Sequence, residues 1–476
     1  MTITSIHFVL FTALALAVYY LLPRRPQNIW LLFISYIFIA SWDWKFAVIL
    51  GFVTAINFLA ALRLRAHNQG RTGLLWLAVG FNVLTLMLFR LAGFFVSELE
   101  AVLGALGLST RTGGLQILVP LGLSYYTLQT ISYLVDVYRG QMKAESDFVD
   151  FALYLAYFPK LLAGPIERAR TFLPKLADPL VVDNRLIAQS VVLIFVGLVR
   201  KMFIADTLSA SMLSDVIEFP GNYPPFELSL WLVIYAFALY NDFAGYTDIV
   251  RGLSGFFGIE LSSNFRAPYF SQSFTEFWKR WHITLSEWLR DYVYYPLSRV
   301  LSRARFRYRG LANLVVPPLI TMLVSGMWHG INLNMLLWGA LHGVYLIGER
   351  VLTFWRPTVL PHNQRSWMQW LKTGVVFSLV VLAWVPFHWE GSAAVQLWEA
   401  LFSWSGIAIE HRRVFLILPI LLGSLALDFL QFGSDDEFVI LKWSPLVQAA
   451  CMAVVLFWVF IVTGGDFEQP FIYQAF

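Results

Sequence analysis

Two histidines stand in surroundings where an ionisable side chain is costly. His282 lies in the run Phe277-Trp-Lys-Arg-Trp-His-Ile-Thr-Leu-Ser-Glu-Trp-Leu-Arg-Asp-Tyr292, which is dense in aromatic, basic and hydroxyl groups. His329 lies in Ser325-Gly-Met-Trp-His-Gly330, between two strongly apolar runs. An imidazole with an ordinary pKa of about 6.5 can take a proton from a hydroxyl and return it to a leaving group near neutral pH. A buried, neutral His329 is therefore suited to be a general base. Chemistry that builds negative charge on oxygen also needs donors, and His282, Trp328 and either Asn332 or Asn334 are the groups available. Trp281, Arg280 and Asp291, beside His282, join them as residues expected to contact donor or substrate.

Each of these residues also has a plainer reading. The aromatics and arginines around His282 suit a helix lying at a membrane surface, with Trp and Tyr at headgroup level and Arg on lipid phosphates. His329 could be a hydrogen-bonded packing histidine, although ionisable groups are rarely placed at membrane depth without function. His342 and His388 read as structural or supporting. No histidine pair has the i, i+4 spacing with an adjacent acid that marks a zinc helix, and there is no Gly-rich phosphate loop or nucleophile elbow.

The elements that carry these residues must be membrane helices. Of 476 residues, 58% are hydrophobic and 13% charged, too few charges to cover a soluble fold. Apolar runs near the roughly 20 residues of a span recur along the chain without the alternation of barrel strands. Lipid-exposed backbone must satisfy itself, so helices follow. Helices are predicted near 6–22, 28–42, 46–62, 74–92, 115–137, 186–204, 226–246, 312–327, 332–349, 371–389, 413–431 and 446–464. This makes an all-α polytopic membrane protein of about 11–13 transmembrane helices with re-entrant or interfacial helices besides.

His329 then falls at the apex of a helical hairpin, and its flanking glycines permit close backbone approach and a break in the helix. Phe151 to Gly164 is short and ends in Pro159, Gly164 and Pro165, which predicts a re-entrant or half-buried element. Leu285 to Val300 contains Glu287, Arg290 and Asp291, so it is expected at the cytoplasmic interface or buried within the bundle.

Charge sets the orientation. The first run is followed by Pro23-Arg24-Arg25 with no basic residue before it, the reverse of a cleaved signal peptide, so the N-terminus is expected outside. Arg24/Arg25, Arg63/Arg65/Arg71, Arg139/Lys143 and the stretch from Phe256 to Arg309 then all lie on the cytoplasmic side. Loops holding Glu98 and Glu100, and Asp206, Asp215 and Glu218, are expected outside; Asp435-Asp436-Glu437 is an exception, placed inside. The single cysteine, Cys451, sits in an apolar run, which excludes an internal disulfide and places a cysteine-bound acyl group poorly. A net charge of +4 gathered in a few loops excludes a nucleic-acid partner.

The same residues carry a family resemblance. The chain resembles the membrane-bound O-acyltransferases, in the bacterial branch of AlgI-type polysaccharide O-acetyltransferases and DltB-type D-alanyl transferases. The matching blocks, over about 117–343, are Pro120-Leu-Gly-Leu-Ser-Tyr-Tyr-Thr-Leu-Gln129, Asp136-Val-Tyr-Arg-Gly140, Tyr157-Phe-Pro-Lys-Leu-Leu-Ala-Gly-Pro-Ile166 and Asp242-Phe-Ala-Gly-Tyr-Thr-Asp248. They continue through Asn264-Phe-Arg-Ala-Pro-Tyr269 into the tryptophan-rich run and Trp328-His329-Gly330. The resemblance implies one membrane domain (N-terminal helices over 1–114, an acyltransferase core over 115–350, C-terminal helices over 351–476) with a central tunnel or funnel. It also implies that His329 is the catalytic histidine and His282 the second functional one.

The activity implied is transfer of a short acyl group, acetyl above all, from a cytoplasmic thioester to hydroxyls of an exported polysaccharide or wall polymer. The donor is acyl-CoA, such as acetyl-CoA, or an acyl-carrier protein, with no bound cofactor or metal. The location implied is the bacterial inner membrane, with a periplasmic acyltransferase or polysaccharide-export partner. Arg299, Arg303, Arg305, Arg307 and Arg309 could dock coenzyme A phosphates, an acidic carrier or anionic lipid. Two departures bear on the acceptor: Ser298-Arg-Val-Leu-Ser-Arg303 replaces an expected Gly-Gly-Asn-Arg element, and Phe387-His-Trp389 replaces Phe-Arg-Ala. The rival readings are D-alanyl transfer from a carrier protein, a non-catalytic subunit passing acyl groups to a soluble partner, and a proton-coupled transporter or flippase.

Overall fold

The computed structural model describes residues 2–3, 5–66, 70–105, 119–212, 214–305, 307–355, 366–389, 391–403, 407–409, 413–434 and 436–463. The described residues are mostly helical, joined by turns and irregular segments, with no strand among them. They form two compact units, Met1–Asp183 with Ser254–Leu261, and Asn184–Leu253 with Ser262–Phe476.

The first unit contains α1 (Ile6–Leu21), α2 (Arg24–Ala40), α3 (Trp44–Ala66), α4 (Arg71–Ala105), α5 (Leu123–Tyr138), α6 (Phe148–Ala156) and α7 (Ala169–Ala177). Helix α5 starts at Leu123, not at the anticipated 115, because Pro120 and the left-handed Gly122 (φ 73°) precede it; residues 115–118 lie outside the described ones. Helix α4 runs on to Ala105, so Glu98 and Glu100 belong to a helix and not to the loop anticipated for them. The segment from Phe151 to Gly164 is one helix end and a series of turns, buried along its whole length. Within it Lys160 is fully enclosed and donates to Gln129 Oε1 and the Tyr154 carbonyl, each at 2.6 Å. Those acceptors, with the buried Glu167 carboxylate acting on the ammonium, are what allow a lysine there.

The second unit begins with α8 (Asn184–Leu198), which passes through a π-turn, Val199–Ala205, into α9 (Asp206–Ser211); α10 (Ser214–Glu218) and α11 (Pro225–Gly255) follow. Next come the short α12 (Phe274–Arg280), α13 (Ile283–Leu289) and α14 (Tyr295–Arg303), then the pair α15 (Arg309–His329) and α16 (Leu333–Trp355). The remainder is α17 (Ser366–Ala383), α18 (Val385–His388), α19 (Gly391–Phe402), α20 (Arg413–Ser434) and α21 (Pro445–Thr463). Residue 464, the anticipated end of the last helix, lies outside the described residues, as do Glu390 and Asp435.

Seven stretches among the described residues are long and apolar enough to cross a membrane: Trp44–Arg65, Arg71–Leu91, Asn184–Ser211, Pro225–Gly255, Arg309–His329, Trp367–His388 and Val414–Ser434. The protein is a multi-pass membrane protein. Pro225–Gly255 has 83% of its apolar window buried, against 22% for Arg71–Leu91, so α11 is an interior helix of its unit and α4 presents apolar side chains outward.

Because α11 is interior, its polar residues need partners. The π-turn brings adjacent Arg200 and Lys201 inward. Arg200 Nη2 meets Asp428 Oδ1 at 2.6 Å and its Nη1 meets Asn241 Oδ1 at 3.1 Å, while Lys201 Nζ meets Asp242 and Asp206 at 2.7 Å each. The acidic run that broke the charge pattern is neutralised in a similar way: Glu437 makes a two-pronged pair with Arg251, both distances 2.9 Å, and Asp436 pairs with Lys442 at 2.8 Å.

Candidate active site

His282 is placed by a break in the chain, not by a helix. Helix α12 ends at Arg280 and α13 begins at Ile283, and His282 between them adopts φ 39°, ψ 57°. Only Ala267 and His282 have positive φ among the described non-glycine residues. A left-handed L-residue costs on the order of 1–2 kcal/mol, so neighbouring bonds must impose it. They come from the segment preceding α12. The Asn264 carbonyl accepts from Ile283 N–H at 2.9 Å, and Asn264 Oδ1 accepts from Thr284 Oγ1 at 2.7 Å and Thr284 N at 3.3 Å. Arg266 N donates to the Arg280 carbonyl at 3.1 Å.

His329 is placed by a helix end. Helix α15 finishes on it, Gly330 N returns to the Gly326 carbonyl at 3.0 Å, and α16 starts three residues later. The anticipated hairpin apex is there. The two helices meet closely because Gly326 lies on the carbonyl of Met335 and Gly339 on the carbonyl of Met322, leaving no room for a β-carbon at either crossing.

One indole joins the two histidines. The Trp328 ring centre lies 4.8 Å from that of His329 and 6.0 Å from that of His282, edge-on to both. His329 also meets Trp338 at 5.0 Å and Phe387 at 5.3 Å, while Phe243 covers His282 at 4.8 Å. All of these side chains are buried. Both ring nitrogens of His282 are enclosed without a hydrogen-bond partner, and burial pulls its imidazole down to about 3, because no neighbouring charge offsets the loss of water. It is a neutral histidine whose ring N–H and lone pair are both unused among the described residues.

The other residues singled out from the sequence divide. Trp281 is buried against Phe265 at 5.1 Å and Trp384 at 4.9 Å, behind His282. Arg280 pairs with Glu276 at 2.9 Å and lines a cavity of about 320 Å³ together with Arg200, Tyr240 and Phe265. Phe265 also faces His282, their ring centres 6.5 Å apart. Asp291 pairs with Arg290 at 3.1 Å. Asn332 Oδ1 accepts from Met335 N at 2.8 Å and so starts α16, while Asn334 Nδ2 donates to the Trp389 carbonyl at 3.0 Å. Leu285 to Val300 is amphipathic: α13 buries Leu285, Trp288 and Leu289, whereas α14 buries nothing.

Three residues were not singled out. Trp338, one ring from His329, has an indole N–H enclosed without a hydrogen-bond partner. Ser325, one turn before His329, has a hydroxyl in the same condition. Asn264 positions His282. His342, given a supporting role above, is enclosed by Trp278 and Trp338, each at 5.0 Å, with both ring nitrogens lacking hydrogen-bond partners.

Apolar spans, together with a pair of buried imidazoles, one at a hairpin apex and one at a strained break, mark a polytopic membrane protein with a candidate acid–base site. A family model for the membrane-bound O-acyltransferase family matches residues 31–385, and the chain belongs to that family. It is 35% identical to a probable alginate O-acetylase AlgI of Pseudomonas aeruginosa, over 90% of this chain and 79% of the relative. It is 27% identical to a peptidoglycan O-acetyltransferase of Helicobacter pylori, over 92% of this chain and 85% of the relative. A teichoic acid D-alanyltransferase of Streptococcus thermophilus is 29% identical over 58% of this chain and 70% of the relative.

Proposed function

We propose that this O-acyltransferase moves an acetyl or similarly short acyl group from a cytoplasmic thioester to hydroxyls of an exported polysaccharide or cell-wall polymer, directly or through a periplasmic partner. The observation that carries the reading is the shared indole: Trp328 touches both His329 and His282, and all three are buried. The relatives matched over most of their length are O-acetylating enzymes, while the D-alanyltransferase matches over a smaller share of this chain; this favours acetyl.

In this scheme an imidazole nitrogen of His329 accepts the acceptor's hydroxyl proton as that oxygen attacks the thioester carbonyl carbon. The C–O bond forms, charge collects on the carbonyl oxygen, and the C–S bond then breaks. The departing thiolate takes the proton back from His329, giving an ester and a free thiol. His282 and the Trp338 N–H are the donors offered to the oxyanion. The donor is acyl-CoA or an acyl-carrier protein, and the protein resides in the bacterial cytoplasmic membrane.

The test measures polymer acylation in a deletion strain complemented with wild type, His329→Ala or His282→Ala, with membrane abundance checked. Loss of acylation in His329→Ala at normal abundance supports the reading. Full restoration by both variants removes it.

A further inference from the structure

In the first unit a second site is built from charge alone. Arg65 ends one span and Arg71 begins the next, so both guanidinium groups stand at the same membrane face, where α3 turns back into α4. Between them and the loop after α5 lies a cavity of about 400 Å³, to which Lys143 and Gln141 also contribute. None of the described lining residues is Asp or Glu, and the connecting residues 66–70, Ala-His-Asn-Gln-Gly, add none. The nearest acids downstream are engaged elsewhere: Glu145 Oε1 accepts from the amides of Ser146 and Asp147 at 2.7 and 2.8 Å, and Asp147 pairs with Arg25.

Arg71 is fixed while Arg65 and Lys143 are exposed. Its Nη2 donates to the Tyr138 carbonyl at 3.2 Å, its guanidinium lies 5.5 Å over the Tyr138 ring, and its Nε is enclosed with no hydrogen-bond partner. None of the described residues lining the cavity offers these three cations a counter-charge, and such a cluster calls for an anion. What lies next to them specifies which. Helix α4, which Arg71 opens, carries exposed apolar side chains, with Trp76 67%, Leu77 72% and Leu84 57% exposed, so the cation cluster stands at the end of a helix that meets hydrocarbon.

We infer that the Arg65–Arg71–Lys143 cavity is a binding site for an anionic phospholipid, its headgroup phosphate among the three cations at the end of the spans α3 and α4 and its acyl chains in the surrounding hydrocarbon. Basic recesses at the ends of spanning helices take anionic headgroups, each cation contributing on the order of a fivefold change in affinity. The inference is independent of the acyl-transfer reading.

The experiment uses the full chain purified in neutral detergent and reads retention of phosphatidylglycerol or phosphatidylcholine by native mass spectrometry. Wild type should retain phosphatidylglycerol in preference. Arg65→Gln and Lys143→Gln, both exposed positions that leave the fixed Arg71 in place, should each weaken it roughly fivefold and together roughly 25-fold, with the lipid-free melting temperature unchanged. Equal retention of the two lipids, or a double variant that binds phosphatidylglycerol like wild type, overturns the site. Displacement of the lipid by millimolar inorganic phosphate or coenzyme A also overturns the lipid assignment, because the cavity would then be reading a soluble phosphate.

Discussion

The Asn264 side chain holds Thr284 by both its hydroxyl and its amide, at 2.7 and 3.3 Å, and with the adjacent backbone bond to Ile283 it fixes the turn on which His282 stands. Replacing Asn264 by Ala removes the Oδ1 acceptor on which two buried donors of Thr284 depend, while the backbone bond to Ile283 remains. At about 1 kcal/mol per buried hydrogen bond, Asn264→Ala should lose about 2 kcal/mol of stability and, at matched abundance, at least about tenfold in acyl transfer. Thr284→Val, which keeps the amide bond, should show the smaller effect on both. Equal activity of Asn264→Ala and wild type in a transfer assay would show that the turn holds without its clamp.

His282 itself carries the strain of that turn. Two substitutions separate side-chain chemistry from backbone conformation. His282→Ala and His282→Gly both remove the imidazole and should both lower transfer by about 10²-fold or more. Only glycine relieves the left-handed backbone at φ 39°, so His282→Gly should unfold later in denaturant than His282→Ala, by about 1 kcal/mol. If alanine is the more stable of the two, the positive φ is not a feature of the folded protein.

The same imidazole gives a pH dependence with a defined sign. Burial lowers it to about 3, whereas the unfolded chain protonates it near the ordinary 6.5. Between those values the unfolded state binds a proton that the folded state refuses. Stability is therefore fully present above about pH 6.5 and falls as pH drops toward 3, by about 1.4 kcal/mol per pH unit for this one group. His282→Asn, which does not titrate and tolerates a left-handed backbone, should show a shallower loss between pH 6.5 and 5. Denaturant midpoints at pH 7.5, 6 and 5 for both proteins measure the difference; parallel slopes would mean His282 is solvated when folded.

What the sequence could and could not disclose follows from where the information sits. The hairpin apex was legible because α15 and α16 are local, apolar on both sides of Trp328-His329-Gly330, and closed by a glycine that lets the chain turn. The irregular backbone of 157–164 was legible from Pro159, Gly164 and Pro165, whereas its burial along the whole length was not. The clamp of Asn264 on Thr284 was not, because a bond spanning 20 residues between two irregular segments leaves no periodicity. Trp338 was passed over because one indole among nineteen in an aromatic-rich chain is distinguished only by its contact with His329. The start of α5 was placed too early because Val119 to Gly122 reads as a continuation of an apolar run unless the left-handed glycine is known. The Asp436 and Glu437 charges looked anomalous for a similar reason: Arg251 lies 186 residues away in sequence from the Glu437 it neutralises.

The closeness of α15 and α16 leads to the last prediction. Gly326 rests on the Met335 carbonyl and Gly339 on the Met322 carbonyl, so an added methyl at either position meets backbone oxygen, which cannot rotate away as a flexible side chain could. Gly348 lies further along α16 with nothing within 4 Å of the same methyl. The three alanine variants therefore test crossing geometry against helix propensity. Gly326→Ala and Gly339→Ala should each cost about 1–3 kcal/mol by forcing the helices apart, while Gly348→Ala should be neutral or stabilising by up to about 1 kcal/mol. The crossing also fixes the apex that carries His329, and a displacement of about 1 Å at a reacting group can cost on the order of 10² in rate. Gly326→Ala should accordingly lose more activity than its melting temperature alone accounts for, when assayed well below the transition. If it melts lower yet turns over normally, the apex keeps its position independently of the crossing, and the bond from Gly330 back to Gly326 would be sufficient to hold His329.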